Sequence, residues 1–214
     1  MTELQPHRNK PPMLDNLVVP LSIAAWVVQE SYYPDLRIRQ EFESALRFGG
    51  VDTLAPTGNR EVLMLPSTET GRYDVVARVL HADEEIYVID CGLRAYTLDT
   101  GYDEVEQNEF VTGNVGFGVD PYDYREFWSK RLGIPLIYRW QIERILESRP
   151  HRSFAECGNG TVFYDRSNWF SVDVDSTDSS DESTFGKDCH PSWELYCRLL
   201  SPEPRLSRPD ELLI

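Results

Sequence analysis

The sequence predicts a mostly β protein, a small barrel or sandwich-like arrangement of antiparallel sheets, with one short helix near residues 121–132. Three observations predict it. Residues Leu36 to Phe48 alternate apolar and polar side chains with a period of two, the mark of a half-buried strand. Residues Arg72 to Leu98 hold three short β-rich runs separated by polar turns. At Asp120-Pro121 a helix-start signature is followed by a helical apolar face.

By composition the chain divides into a flexible leader over 1–16, a β-rich unit over 17–200 and a tail over 201–214. The unit reads as one body or as two packed halves, about 17–71 and 72–200. The leader carries Pro6, Pro11 and Pro12 among polar residues and lacks the apolar core of a signal peptide. The most apolar run, Leu17 to Val28, is broken by Pro20 and Ser22 and is too short to span a bilayer. A cytoplasmic protein with no membrane partner is therefore expected, its four cysteines (Cys91, Cys157, Cys189, Cys197) held as reduced thiols.

In chain order, Leu21 to Val28 is expected to form a hairpin with Leu36 to Phe48 across the Tyr33-Pro34-Asp35 turn. Leu36, Ile38, Phe42, Leu46 and Phe48 fall on the buried parity of that second strand, and Gly49-Gly50 ends it. A meander follows: Arg72 to Leu80, Ile86 to Ile89, and Arg94 to Leu98, with turns at Asp83-Glu84-Glu85 and Cys91-Gly92. Phe110 to Val119 is a fourth strand, where Gly113, Gly116 and Gly118 point to strong curvature or a bulge. In the helix, Asp120 is the N-cap, Tyr124, Phe127, Trp128 and Leu132 share one face, and Gly133 is the stop. Ile134 to Leu146 is a further long strand.

From Arg72 to Leu146 this element content resembles that of a small closed Greek-key barrel such as the OB-fold. In that fold the helix normally falls between the third and fourth strands; here it follows the fourth. The resemblance rests on element order, carries no residue motif and implies no function. Beyond it, Gly158-Asn159-Gly160 signals a hairpin, Thr161 to Tyr164 and Trp169 to Val174 read as strands, and Asp175 to Ser183 as a mobile loop. Ser192 to Leu200 closes the sheet, with Trp193, Leu195, Cys197 and Leu199 on one parity.

The charge narrows function. Asp and Glu number 36 against 21 Lys and Arg, a formal net charge of −15, and such a surface opposes binding to phosphate backbones. The aromatic group Tyr122, Tyr124, Phe127, Trp128 and Trp140 could stack bases, but its acidic surroundings favour core packing. Zinc is not expected: Cys157, Cys189, His190 and Cys197 are spaced too widely, or too closely, for paired ligands. Nor is calcium, because the sixth and twelfth positions counted from Asp173 hold Asp178 and Thr184 where an EF-hand needs Gly and Glu. No nucleophile elbow or cysteine motif is present, and Cys91, at a strand end beside Asp90, is expected to have a raised pKa. Neither a cofactor, a metal nor a catalytic residue is assigned.

Two acidic loops remain. Five carboxylates lie from Asp99 to Glu109 without a basic residue among them, and five more from Asp173 to Glu182. Asp99, Asp103, Glu104, Glu106 and Glu109, with Asp173, Asp175, Asp178, Asp181 and Glu182, are the candidate contacts for a basic protein partner. The expected function is non-catalytic binding of the inhibitor, immunity or mimic type. The alternatives are an oligomeric structural β protein, with Leu36 to Phe48 as an exposed edge, and a hydrolase-type enzyme with a carboxylate site.

Overall fold

The computed structural model describes residues 17–29, 33–50, 53–98, 106–150, 155–156, 162–163, 169–177 and 192–208. In chain order its elements begin with β1 (Val18–Ala24), the short helix α1 (Ala25–Gln29), β2 (Glu41–Ser44), β3 (Leu46–Gly49), β4 (Ala55–Pro56) and β5 (Leu63–Pro66). Then come β6 (Arg72–Ala82), β7 (Tyr87–Asp90), β8 (Arg94–Thr97) and β9 (Phe110–Val119). A π-helical turn (Tyr124–Trp128) runs into α2 (Ser129–Leu132), followed by β10 (Tyr138–Pro150), β11 (Ala155–Glu156), β12 (Val162–Phe163), β13 (Trp169–Val174) and β14 (Ser192–Leu199). Among the described residues no helix is long and apolar enough to cross a membrane.

A closed five-stranded barrel stands at the centre. β6, β7 and β8 form the expected meander, β9 pairs with β6, and β3 joins β9 to β8, which closes the ring. The closing strand is β3 and not the stretch after the helix, so the helix follows the barrel's last strand. On the open side the order runs β9–β1–β14–β10–β13, with β2 on β10 and β4 on β9. Every pairing is antiparallel except β1 with β9 and β3 with β8.

Three expectations are corrected. The apolar run from Leu21 is not a hairpin partner of Leu36 to Phe48: β1 pairs with β14 and β9, and the run turns helical at Ala25. Its alternation continues across β14, whose Trp193, Leu195 and Cys197 face the core opposite Ile23, Leu21 and Val19. Leu36 to Phe48 is not one strand: β3 lies between β8 and β9, while β2 pairs on one side, with β10, among the described residues. Ser44, Ala45 and Leu46 are all buried, the Ser44 hydroxyl donates to the Ala45 carbonyl, and the chain breaks there, β2 going to the outer sheet and β3 into the barrel. The long strand after Gly133 starts at Tyr138, and the register slip between Ile142 and Arg144 makes Glu143 a bulge, which lets both Ile142 and Ile145 face inward.

The helical turn departs from a 3.6-residue period. The Ser129 N–H bonds to the Tyr124 carbonyl five residues back, so Tyr124, Arg125 and Ser129 are buried while Phe127 is 65% exposed. Gly133 ends it in the left-handed region at φ 62°, as the sequence predicts. Tyr124 packs with Ala45, Ile86, Val88, Tyr96, Leu136 and Ile137 on the outside of the barrel, a cluster separate from the main core. Beyond β14 the chain stays attached: Ile137 and Arg205 exchange two backbone hydrogen bonds, and the Arg205 guanidinium pairs with Glu43.

Candidate functional site

The acidic residues fall in two places. Asp99, Asp103, Glu104, Asp178, Asp181 and Glu182 lie outside the described residues, as do Cys157, Cys189, His190, the leader and the tail beyond 208. Glu106 and Glu109 are exposed and close a tight turn. The Glu106 N–H donates to the Glu109 carboxylate at 3.0 Å and the Glu109 N–H to the Glu106 carbonyl at 3.2 Å. That turn is fastened to the end of β6, where Asn108 donates to the Val79 carbonyl and Val79 to the Glu109 carbonyl, each at 2.9 Å. Arg78 and Gln107 add side-chain bonds to Asn108 and to the Leu80 carbonyl.

Asp173 and Asp175 are exposed at the other edge of the sheet. Asp173 is engaged by Arg144, whose Nε and Nη2 donate to its two oxygens at 2.5 and 3.0 Å, while the same guanidinium lies 5.5 Å from the centre of the Tyr196 ring. Those hydrogen bonds hold the Asp173 carboxyl below its ordinary range. Register places Asp173 level with Gly118 of β9 through β10, β14 and β1, whereas Glu109 precedes the opposite end of β9. Among the described residues, Glu109 and Asp173 are therefore not brought together. Nine residues of strand, about 30 Å, and four strand spacings separate them.

Charge motifs missed a concave site on the outer face. Register lines up Arg47 of β3, Gly118 of β9, Ser22 of β1 and Glu194 of β14 in one row. Arg72 stands beside Gly116 where β6 gives way to β1. These side chains, with Trp26 at 44% exposure on the rim, surround a groove of about 530 Å³ floored by Gly49, Gly116 and Gly118. The floor strands approach closely: a Cβ at Gly118 would lie 2.9 Å from the Ser22 hydroxyl. Arg72 is held in place by Asn114, taking its side-chain and main-chain oxygens, and Asn114 is tied in turn to Ser67 and Asp74. On the facing wall the Glu194 carboxyl is hydrogen-bonded by Tyr196, while its Oε1 is buried with no hydrogen-bond partner among the described residues. The sequence signal is the outward parity of Gly116 and Gly118, which the strand pattern alone assigns to curvature.

Among the described residues the carboxyl pushed up toward neutrality is Asp120, which lies beside this groove but is sealed from it at 1% exposure. Burial raises its pKa to about 7 and nearby Asp123 adds to the rise, against the Tyr96 hydroxyl, the Tyr124 N–H and Arg47, which favour the ion. Tyr96 donates to Oδ1, Tyr124 N–H to Oδ2 at 3.3 Å, and the Tyr33 hydroxyl to the Asp120 carbonyl at 2.8 Å. Asp120 is therefore not the N-cap the sequence predicts, a place Asp123 takes; its carboxyl joins the barrel to the helical turn, and its backbone N–H bonds the Ser44 hydroxyl of β2. Cys91 behaves as expected: burial, with Asp90 adding, pushes its thiol up to about 12, so it is no nucleophile. Among the described residues no three His, Cys, Asp or Glu side chains converge as a metal site. Comparison with known protein families, with curated proteins and with solved structures returns no match, and the site is read from its own residues.

Proposed function

We propose that the protein is a non-catalytic binding protein that engages a basic protein partner through its acidic loops. The observation that supports this is where the positive charge goes. Arg47, Arg94, Arg131, Arg139, Arg144, Arg198 and Arg205 each sit within ion-pair distance of a carboxylate of the same chain. Exposed pairs of this kind add little stability, typically about 0–1 kcal/mol. They do neutralise the arginines locally, so the excess of carboxylates sets the outward field.

The Glu106–Glu109 turn supports the reading further. Its backbone is bonded on both sides to β6, so acidic side chains are carried on a fixed support and little ordering entropy is lost on binding. Asp173 contributes less than the sequence implies, because Arg144 already holds it.

The test is association kinetics with the partner co-purified from the native cell, comparing the wild type with a triple charge reversal, Asp103→Lys, Glu104→Lys and Glu106→Lys. The expected partner is basic. At low salt its on-rate falls about tenfold or more in the variant, and the dependence of rate on salt flattens. A partner that associates equally fast with the reversed variant at low salt overturns the proposal.

A further inference from the structure

We propose that the outer-face groove between β3 and β14 is a binding site for a small zwitterion, a dipeptide with free termini and an apolar side chain. Its walls carry opposite charge. Arg47 and Arg72 line one side and Glu194 the other, with the glycine floor between them. Arg47 pairs with Asp123 at 3.6 Å through Nη1 and also lies in the field of the sealed Asp120, and its remaining guanidinium donors can serve a ligand carboxylate. Arg72 is pre-set by Asn114 and loses little freedom on engaging the same group.

On the far wall the Glu194 carboxyl takes one hydrogen bond from Tyr196, but its buried Oε1 has no partner among the described residues, and an ammonium group supplies up to three donors. Leaving a carboxylate oxygen desolvated and unpaired is costly, so a ligand that satisfies it gains the difference. Trp26 on the rim offers an apolar surface for the ligand side chain, and its ring also favours a cation nearby.

Size and net charge select the class. Arg47 and Glu194 are three strand spacings apart, about 14 Å. That span is between Cα atoms and the Arg47 and Glu194 side chains take up part of it, so an extended dipeptide of about 7 Å is of the length, and the groove of about 530 Å³ of the volume, that the site admits. A purely anionic ligand must approach a chain of net charge −15, whereas a zwitterion carries no net charge to be repelled. The floor is open above Gly49, where an added Cβ would meet nothing within 4 Å, and the glycines at 116 and 118 leave room only for Arg72 and Ser22 beside the ligand.

The full chain is to be titrated calorimetrically with Gly-Phe, with its C-terminal amide, with N-acetyl-Gly-Phe and with inorganic phosphate. Gly-Phe is expected to bind with a Kd below about 1 mM, and each blocked form at least about tenfold more weakly. Removal of one wall should remove or reduce one preference. Glu194→Gln is expected to bind Gly-Phe and the N-acetyl form equally, and Arg47→Gln, with Arg72 still in place, to reduce the preference for Gly-Phe over the amide at least about threefold. Both substitutions are on the outer face, and circular dichroism checks that each variant folds as the wild type does. Three results each overturn the proposal: no binding of Gly-Phe at roughly 10 mM, equal binding of all three peptides by the wild type, or phosphate binding more tightly than Gly-Phe.

Discussion

Raising the pH from about 4 to about 7 is expected to lower the stability of the fold, against the usual trend for an acidic protein. The cause is Asp120. In the unfolded chain its carboxyl titrates near its ordinary value, about 3.9, while in the folded protein burial foremost, and Asp123, raise it to about 7. Between those two values the folded state binds a proton that the unfolded state has released, so stability drops as pH rises through that window. A shift of about three pK units corresponds to at most about 4 kcal/mol, a large share of a typical folding free energy of about 5–15 kcal/mol. Asp83 works in the opposite sense but elsewhere. Although partial desolvation pulls its carboxyl up, hydrogen bonds from His81 and from the Glu85 and Ile86 N–H groups hold it at about 2. Its contribution is lost only as pH falls below about 4.

Urea midpoints at pH 5, 6, 7 and 8 check this, with Asp120→Asn as the comparison. The variant is expected to be less stable at pH 5 by about 1–3 kcal/mol, because one amide oxygen replaces a carboxyl that serves both Tyr96 and the Tyr124 N–H. It should also lose the downward slope with pH. An identical slope in the two proteins would remove Asp120 as the cause.

Much of the barrel was legible because its strands alternate cleanly. β9 begins and ends where the sequence places it and β6 differs only at one end; outside the barrel, β14 differs only at one end because it alternates, and β13 matches although none of its residues is buried. What the pattern does not carry is pairing. Leu21 and Ile23 on β1 look equally ready for a neighbour in sequence or for β14, and the choice is made by register with Leu195 and Trp193 far along the chain. The helix was found but its winding was not, because the Tyr124-to-Ser129 bond adds a residue to the turn and carries Phe127 to the surface. The candidate sites divide in the same way. A run of carboxylates is visible in any sequence, but that Asp173 is claimed by Arg144 is a cross-strand fact. The groove is made by β1, β3, β6, β9 and β14 together, and no window of consecutive residues contains it.

Gly113→Ala is expected to destabilise the protein by about 3 kcal/mol, whereas Gly116→Ala, three residues along the same strand, should change stability by less than about 0.5 kcal/mol. The two positions differ in what a methyl group would meet. Gly113 lies on the inward parity of β9, and a Cβ there would stand 2.4 Å from the Thr53 carbonyl oxygen and 2.8 Å from the Thr53 carbonyl carbon. Both are backbone atoms and cannot rotate away. Relief would require the segment through Thr53 and Leu54 to move off the barrel, which would uncover the buried Leu54 and strain the β4–β9 pairing at Thr112 and Val111. It would also break the paired bonds between the Thr53 hydroxyl and the Asn114 N–H and carbonyl, at 3.0 and 2.7 Å. At Gly116 the nearest atom to an added Cβ is the Gly71 oxygen at 3.6 Å, an ordinary contact, and the methyl would point into the groove. Replacing this glycine also reduces the entropy of the unfolded chain, which favours the variant. Chemical denaturation of both variants separates the roles: equal losses would mean that close packing against Thr53 is not what β9 requires of Gly113. A stable Gly116→Ala that no longer binds Gly-Phe would show that the floor of the groove, and not the fold, requires the missing side chain.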